Sequence, residues 1–226
     1  MKKFKNVMCA VMMSVVAVGC GSAADTQADA LEAEVIETVE AQAEELPAAS
    51  NPDGIATEEL PEELKGMIVS MDSLMLAGIE SGDAVTVVNQ ETFWTVMHYA
   101  IGNFAEAYNC GEVVESDLAV AGADVAEFAA ALTDGFESLE AMPASEEYGI
   151  RYDAETDTYF FGLGDRGLSQ TEILSYEYTD MDTVKVSARL FAQDDDSTIC
   201  NADFTLVRNA NDGLFSFSVS EVNVAE

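Results

Sequence analysis

Side chains that commonly carry catalysis or bind metals are scarce in this sequence. Its 226 residues include 1 histidine, His98, so a zinc site with two imidazole ligands from one chain is excluded. As a general base, His98 would need a nucleophile and an orienting carboxylate, and the sequence supplies no such spacing. We therefore predict a helical histidine at the edge of the core with one satisfied hydrogen bond, and we predict no catalytic residue and no cofactor.

Two acidic turns could offer oxygen ligands to a hard cation such as calcium. One contains Asp194, Asp195 and Asp196, and the other runs from Asp153 to Asp157. Neither follows the twelve-residue calcium loop with its central glycine and terminal glutamate. We predict two ordinary hairpin ends and no metal site, with calcium binding at these turns as the alternative.

The charge balance restricts the class of partner. The chain has 43 acidic and 9 basic residues, for a formal net charge of −34. Nucleic acid is excluded as a partner, because no basic patch is available to neutralise phosphates. Cationic peptides, metal ions or simple solubility are the remaining explanations of the charge.

The N-terminus has the three-part layout of a secretory signal. Lys2, Lys3 and Lys5 precede an apolar run from residue 7 to residue 18, and small residues flank Cys20. The run is too short to span a bilayer as a helix.

The residues Ala17-Val18-Gly19-Cys20 resemble the lipobox of bacterial lipoproteins, apart from Ala17, where the commonest lipobox has leucine. The resemblance implies that residues 1–19 are a signal peptide and that Cys20 becomes a lipidated N-terminus. Two or more acyl chains make a stable anchor, so the expected location is the extracytoplasmic face of the cell membrane. An ordinary cleaved signal peptide is the alternative.

An acidic segment follows the signal. Gly21 to Glu63 contains thirteen acidic residues, three prolines and no lysine or arginine. Self-repulsion and a lack of bulky apolar residues keep such a segment extended. We predict a disordered tether over residues 20–61 and one folded domain over residues 62–226.

Two cysteines remain once the signal is removed and Cys20 is lipidated, namely Cys110 and Cys200. In an oxidising compartment such a pair can form a disulfide. The alternative interpretation is that both are small buried hydrophobic residues.

Apolar residues recur at three- and four-residue intervals in the first half of the domain. This spacing predicts helices over Glu62–Ser81, from an N-cap at Asn89 to Asn109, and from Asp124 to Phe136. One short strand is expected within Glu112–Val120.

The second half alternates apolar and polar residues, which is typical of strands. A hairpin is predicted from Tyr148 to Phe161, followed by strands over Thr171–Tyr178, Thr183–Ala192, Thr198–Arg208 and Leu214–Val222. Short turns make sequential strands antiparallel neighbours. The predicted fold class is α+β, with the N-terminal helices packed on a curved antiparallel β-meander.

This order of elements is similar to that of cystatin-like and NTF2-like domains of secreted proteins. The resemblance covers roughly residues 62–222 and implies a helical segment lying across a bent sheet to form a cone. The hairpin before residue 162 departs from the usual pattern of that superfamily.

The leading functional hypothesis is a membrane-anchored, non-enzymatic binding or accessory domain. The alternative is a small extracellular hydrolase or isomerase with a cone-shaped pocket, an acidic base and aromatic walls from Trp94, Tyr99 or Tyr176. A third hypothesis is a structural interaction module within a larger complex.

Overall fold

The computed structural model describes residues 46–81, 90–134, 136, 149–163, 167–210 and 213–225, all of which belong to one compact unit. The predicted signal peptide, Cys20 and residues 20–45 of the predicted tether lie outside the described residues. So do Asn89, the predicted N-cap of the second helix, and Tyr148 at the start of the predicted hairpin.

In the part of the chain that the structure describes, three α-helices form where the apolar spacing predicts them. They are α1 over Glu62–Ser81, α2 over Gln90–Phe104 and α3 over Gly122–Leu132. A 3-10 turn at Ala105–Tyr108 prolongs α2 and stops at Asn109, whose φ of 56° is the left-handed conformation that closes many helices. The described part of the chain contains no helix that is both long and apolar enough to cross a membrane.

Within the described residues, nine strands form two antiparallel sheets. The strands are β1 (Ala48–Ser50), β2 (Glu112–Val114), β3 (Asp117–Ala121), β4 (Ile150–Asp153), β5 (Thr158–Gly162), β6 (Ser169–Tyr178), β7 (Thr183–Ala192), β8 (Thr198–Arg208) and β9 (Phe217–Ala225). One sheet has the order β1-β6-β7-β8-β9 and the other has the order β2-β3-β5-β4. The predicted α+β class and the meander from β6 to β9 are confirmed.

The four-stranded sheet was not anticipated. Where one short strand was expected, β2 and β3 form a hairpin that turns at Glu115, whose φ is 58°. This hairpin joins the predicted β4–β5 hairpin through pairing of β3 with β5. All three residues of β2 are exposed, so β2 has no alternation by which the sequence could reveal it.

The folded unit begins before residue 62, inside the segment predicted as tether. Ala48–Ser50 pairs with β6, from Glu177 to Ser175. Farther on, the N–H of Ile55 donates to Ile173 O at 2.8 Å, and both Ile55 and Leu60 are buried. A three-residue strand whose partner lies far along the chain leaves no local pattern, which explains the difference.

The helices connect the two sheets. α1 contacts β6, β7, β8 and β9, whereas α2 contacts α1 and β5. α3 contacts β9 of one sheet and β3 and β5 of the other. The core between them includes Met67, Met71, Phe128, Phe161 and Phe204, all at most 2% exposed. The face of the five-stranded sheet turned toward the helices is therefore filled with side chains.

Candidate functional site

The opposite face of the five-stranded sheet carries a groove. Its volume is about 750 Å³ and it extends across all five strands, with a lining of Ala48, Ala49, Ser50, Ser175, Tyr176, Glu177, Lys185, Val186, Ser187, Asp203, Phe204, Thr205, Glu221 and Asn223. Register shifts occur between residues 173 and 175, 190 and 191, and 205 and 206. Such bulges bend strands locally.

Alternation along the strands gives the groove its polar side chains. In β7, Val184 and Val186 are buried while Lys185 between them is exposed. Cross-strand pairing then brings outward residues side by side in two rows. One row contains Glu177, Lys185, Thr205 and Glu221, and the next contains Ser175, Ser187, Asp203 and Asn223.

A hydrogen bond joins the two central strands across the groove. The hydroxyl of Ser187 donates to Oδ1 of Asp203, which lies directly opposite it in the β7–β8 register. Ser187 is half-buried and Asp203 is exposed. The bond orients the Asp203 carboxylate toward β7 while leaving the side chain open to solvent.

Lys185 differs from the other described basic residues in its pairing. Four of them form ion pairs, through the contacts Lys65–Glu62, Arg151–Asp117, Arg189–Glu172 and Arg208–Glu63. For Lys185, no carboxylate oxygen among the described residues lies within 4.0 Å of the ammonium. A ligand in the groove can therefore reach this ammonium without breaking an existing ion pair.

The described side chains that line the groove are hydroxyls, carboxylates, an amide and an ammonium, together with apolar residues. Ser187 could act as a nucleophile only with a base and with N–H donors for an oxyanion. β7 lies between β6 and β8, and Ser187 is paired on both sides, with Ser175 and with Asp203. The backbone around Ser187 is therefore paired within the sheet. The described residues that line the groove include no histidine.

His98 lies away from the groove, on α2. It is half-buried, and its ring lies edge-on to that of Tyr99 at 6.1 Å. Its Nδ1 is buried and has no hydrogen-bond partner among the described residues, so the satisfied bond that the sequence predicted does not form at this nitrogen. Burial lowers the pKa of His98, and the nearby Glu80 carboxylate raises it by a smaller amount.

The aromatic residues expected to wall a cone-shaped pocket do not converge. Trp94 is buried and stacks on Tyr159 at 5.5 Å. Tyr99 donates a hydrogen bond of 2.9 Å to Glu80, and burial together with this bond raises the pKa of Tyr99 to about 12. Tyr176 lies on β6 beside the groove. Of these three residues Tyr176 lines the groove, and the enzyme hypothesis, which needed a wall from any one of them, stays a prediction.

Cys110 and Cys200 are free cysteines in the structure, and a disulfide between them in an oxidising compartment stays a prediction. Cys110 is buried just after the 3-10 turn, and Cys200 lies half-buried on β8, paired with Leu190 of β7. Burial raises the pKa of both thiols.

The acidic turns are closed by their own hydrogen bonds. Asp153 accepts bonds of 2.9 Å from the N–H of Glu155 and the hydroxyl of Thr156, and these two bonds lower its pKa. Asp195 likewise accepts from the N–H of Ser197, which lowers the pKa of Asp195. Within the described ranges no three metal-ligating side chains converge.

Sequence reasoning missed most of the groove. The alternation in β7 predicted that Lys185 and Ser187 face solvent, which is correct. It could not show that Glu177, Asp203 and Glu221 stand next to them, because strand register is fixed by pairing between distant residues. Comparison of the chain with protein-family models, curated proteins and solved structures gave no match.

Proposed function

We propose that this chain is a lipoprotein anchored to the extracytoplasmic face of a bacterial membrane through Cys20, and that its folded part is a non-enzymatic binding domain. The ligand is polar and occupies the groove of the five-stranded sheet. The groove itself carries this proposal, because its charged side chains face solvent on a surface held rigid by five paired strands. A preformed surface of this kind loses little conformational entropy on binding.

The composition of the groove supports a binding role. Its outward polar side chains are hydroxyls, carboxylates, one amide and the ammonium of Lys185. Each can exchange hydrogen bonds with water for hydrogen bonds with a ligand. The apolar side chains of the same strands point the other way into the core, so they are committed to stability.

The N-terminal sequence supports the anchor. The lipobox-like residues Ala17 to Cys20 precede an acidic segment that contains no basic residue up to Glu63. Its negative charge is repelled by an anionic membrane surface. It would hold a binding domain away from the lipid, where a ligand in the cell envelope could reach the groove.

The anchor is tested by growing bacteria that express the full chain with an alkyne-tagged fatty acid. We expect the wild-type protein to carry the tag and to sediment with membranes. Cys20→Ala should lose the tag, whereas Cys9→Ala should keep it because Cys9 lies inside the predicted signal. A tag that persists in Cys20→Ala would contradict lipidation at this residue.

The groove is tested by thermal melting of the full-length protein in detergent with lysine-rich peptides, neutral oligosaccharides and calcium. A ligand at a hundred times its Kd should stabilise the protein by about 2.7 kcal/mol. Asp203→Ala and Ser187→Trp should abolish this gain, because the first removes a groove carboxylate and the second fills the groove.

Asp194→Ala is the matched control for Asp203→Ala. Asp194 is also exposed, but it lies in the β7–β8 turn and not in the groove. A ligand whose effect survives in both groove variants would bind elsewhere and would overturn the assignment of the site.

A further inference from the structure

We propose that the occupant of the groove is a cationic peptide segment with two basic side chains, one for Glu177 and one for Glu221, and no basic side chain between them. This inference rests on the proposed function, because it specifies the ligand of the same groove. The row Glu177, Lys185, Thr205 and Glu221 sets the pattern that the peptide must match.

The spacing follows from the strand order. Glu177 lies on β6, opposite Lys185 on β7, and Glu221 lies on β9, opposite Thr205 on β8. Neighbouring strands are about 4.8 Å apart, so the two glutamates are separated by three strand spacings, or roughly 14 Å. An extended peptide advances about 3.4 Å per residue, so basic side chains four residues apart span this distance.

The charges of the row set the pattern of the peptide. Glu177 and Glu221 attract cations, and Asp203 in the neighbouring row adds a third carboxylate. Lys185 stands between the two glutamates and repels a cation placed over it. A peptide with an acidic or neutral side chain at its centre avoids this repulsion and can offer an acceptor to the unpaired ammonium of Lys185.

The lining disfavours other classes of ligand. Sugars commonly stack on exposed aromatic rings, yet Tyr176, the tyrosine beside the groove, packs against the core and against Tyr178 at 6.1 Å. An anionic ligand would meet three carboxylates and one ammonium. Arg189, on the same strand as Lys185, is already paired with Glu172 and Asp196 and so adds little attraction for anions.

The test compares two capped peptides of identical composition in a glycine–serine background. In the spaced peptide the motif reads Lys-Ser-Glu-Ser-Lys, and in the permuted peptide it reads Glu-Ser-Lys-Lys-Ser. Binding to the full-length protein in detergent is measured by fluorescence anisotropy. We expect the spaced peptide to bind about fivefold more tightly, because exposed ion pairs each change affinity by about two- to fivefold.

Two charge-matched double variants separate specific pairing from general attraction. Glu177→Gln with Glu221→Gln should weaken the spaced peptide by about tenfold. Glu115→Gln with Glu155→Gln removes the same charge from exposed turns of the other sheet and should leave its affinity unchanged. Melting temperatures of both variants show whether each is folded.

The Lys185→Gln variant should change the affinities of two peptides in opposite directions. It should weaken the spaced peptide, which loses its central contact, but it should tighten an all-lysine peptide by about two- to fivefold, because the repelling ammonium is gone. If Lys185 had only a structural role, Lys185→Gln would weaken the binding of both peptides to the same extent.

Equal affinity for the spaced and permuted peptides, or an equal loss in the two double variants, would overturn the peptide assignment. If a neutral oligosaccharide binds and Ser187→Trp abolishes that binding while neither peptide binds, the groove is a site but the ligand class is wrong. If a peptide binds equally well to Ser187→Trp, the groove assignment itself fails.

Discussion

The hydroxyl of Tyr178 donates a hydrogen bond to Oε1 of Glu63, which lies 115 residues earlier in the chain. The other oxygen of the same carboxylate accepts a bond of 3.0 Å from Arg208. Glu63 belongs to the first turn of α1, Tyr178 ends β6 and Arg208 ends β8. One carboxylate therefore fixes the start of the first helix to two strands of the five-stranded sheet.

Glu63→Gln should make the protein less stable at neutral pH but not at acid pH. Burial raises the pKa of Glu63, but the hydrogen bonds from Tyr178 and Arg208 outweigh it, so the pKa lies below its usual value of 4.5. The stabilising effect of ionised Glu63 is therefore complete above pH 4.5 and is lost as the pH falls through the lowered pKa.

We expect a loss of about 1–2 kcal/mol at pH 7 in urea unfolding of Glu63→Gln, and this loss should shrink as the pH falls below 4.5 through the lowered pKa. Glu62→Gln is the control, because the Glu62 side chain is 89% exposed and forms an exposed ion pair with Lys65. A loss in Glu63→Gln that did not depend on pH would contradict this account.

The lowered pKa of His98 predicts a second pH dependence of stability, at a higher pH than that of Glu63. Because burial lowers the pKa of His98 below 6.5, the neutral ring is favoured in the folded state. The stability that this provides is present above pH 6.5 and is lost as the pH falls through the folded pKa. Melting temperatures between pH 7 and pH 5 should therefore fall more for the wild type than for His98→Gln.

A direct measurement is available because the chain has 1 histidine, whose ring protons can be followed by NMR without ambiguity. We expect a midpoint below 6.5. A midpoint at or above 6.5 would mean that the attraction of Glu80 exceeds the effect of burial.

Two glycines should respond to alanine in opposite directions. Gly111 has a φ of +94°, and a Cβ there would lie 2.6 Å from the backbone oxygen of Ala119. Gly111→Ala should therefore cost about 1–3 kcal/mol in urea unfolding. Gly102 lies within α2 with nothing near its Cβ position, so Gly102→Ala should gain about 0.5–1 kcal/mol. If both substitutions changed the free energy of unfolding in the same direction, the backbone conformations described for Gly111 and Gly102 would be wrong.

The early start of the folded unit can be checked by hydrogen exchange. The N–H of Asn51 donates to Leu174 O, and that of Ile55 donates to Ile173 O, both at 2.8 Å. Both amides should exchange at least tenfold more slowly in the full-length protein than in a synthetic peptide of residues 44–60. Equal exchange rates in the protein and the peptide would mean that the folded unit starts at residue 62, as the sequence predicted.

Local patterns in the sequence predicted local structure well. Met67, Met71 and Leu74 recur at helical spacing, and all three are buried in α1. In β7, the alternation of Val184, Lys185 and Val186 gave both the strand and its two faces. These features depend on neighbours a few residues apart, which is the range over which hydrophobic periodicity operates.

The groove and the second sheet depend on contacts between distant residues. Nothing near Ala48 indicates that β6 will supply its partner, and nothing near Lys185 indicates that Thr205 will be its neighbour. The separation of Trp94 from Tyr176 is also a matter of topology, since one lies on a helix against Tyr159 and the other on β6. Such relations appear only when the strands are paired.

The position of β1 gives the groove a mechanical property. Ala48, Ala49 and Ser50 line the groove and also form the first strand of the described chain. Tension on the preceding residues is therefore borne first by the three residue pairs that join β1 to β6. A ligand that bridges these two strands would raise the force needed to peel β1 away, and a peeled β1 would remove one wall of the groove. The affinity of such a site for its ligand would depend on the tension applied to the chain.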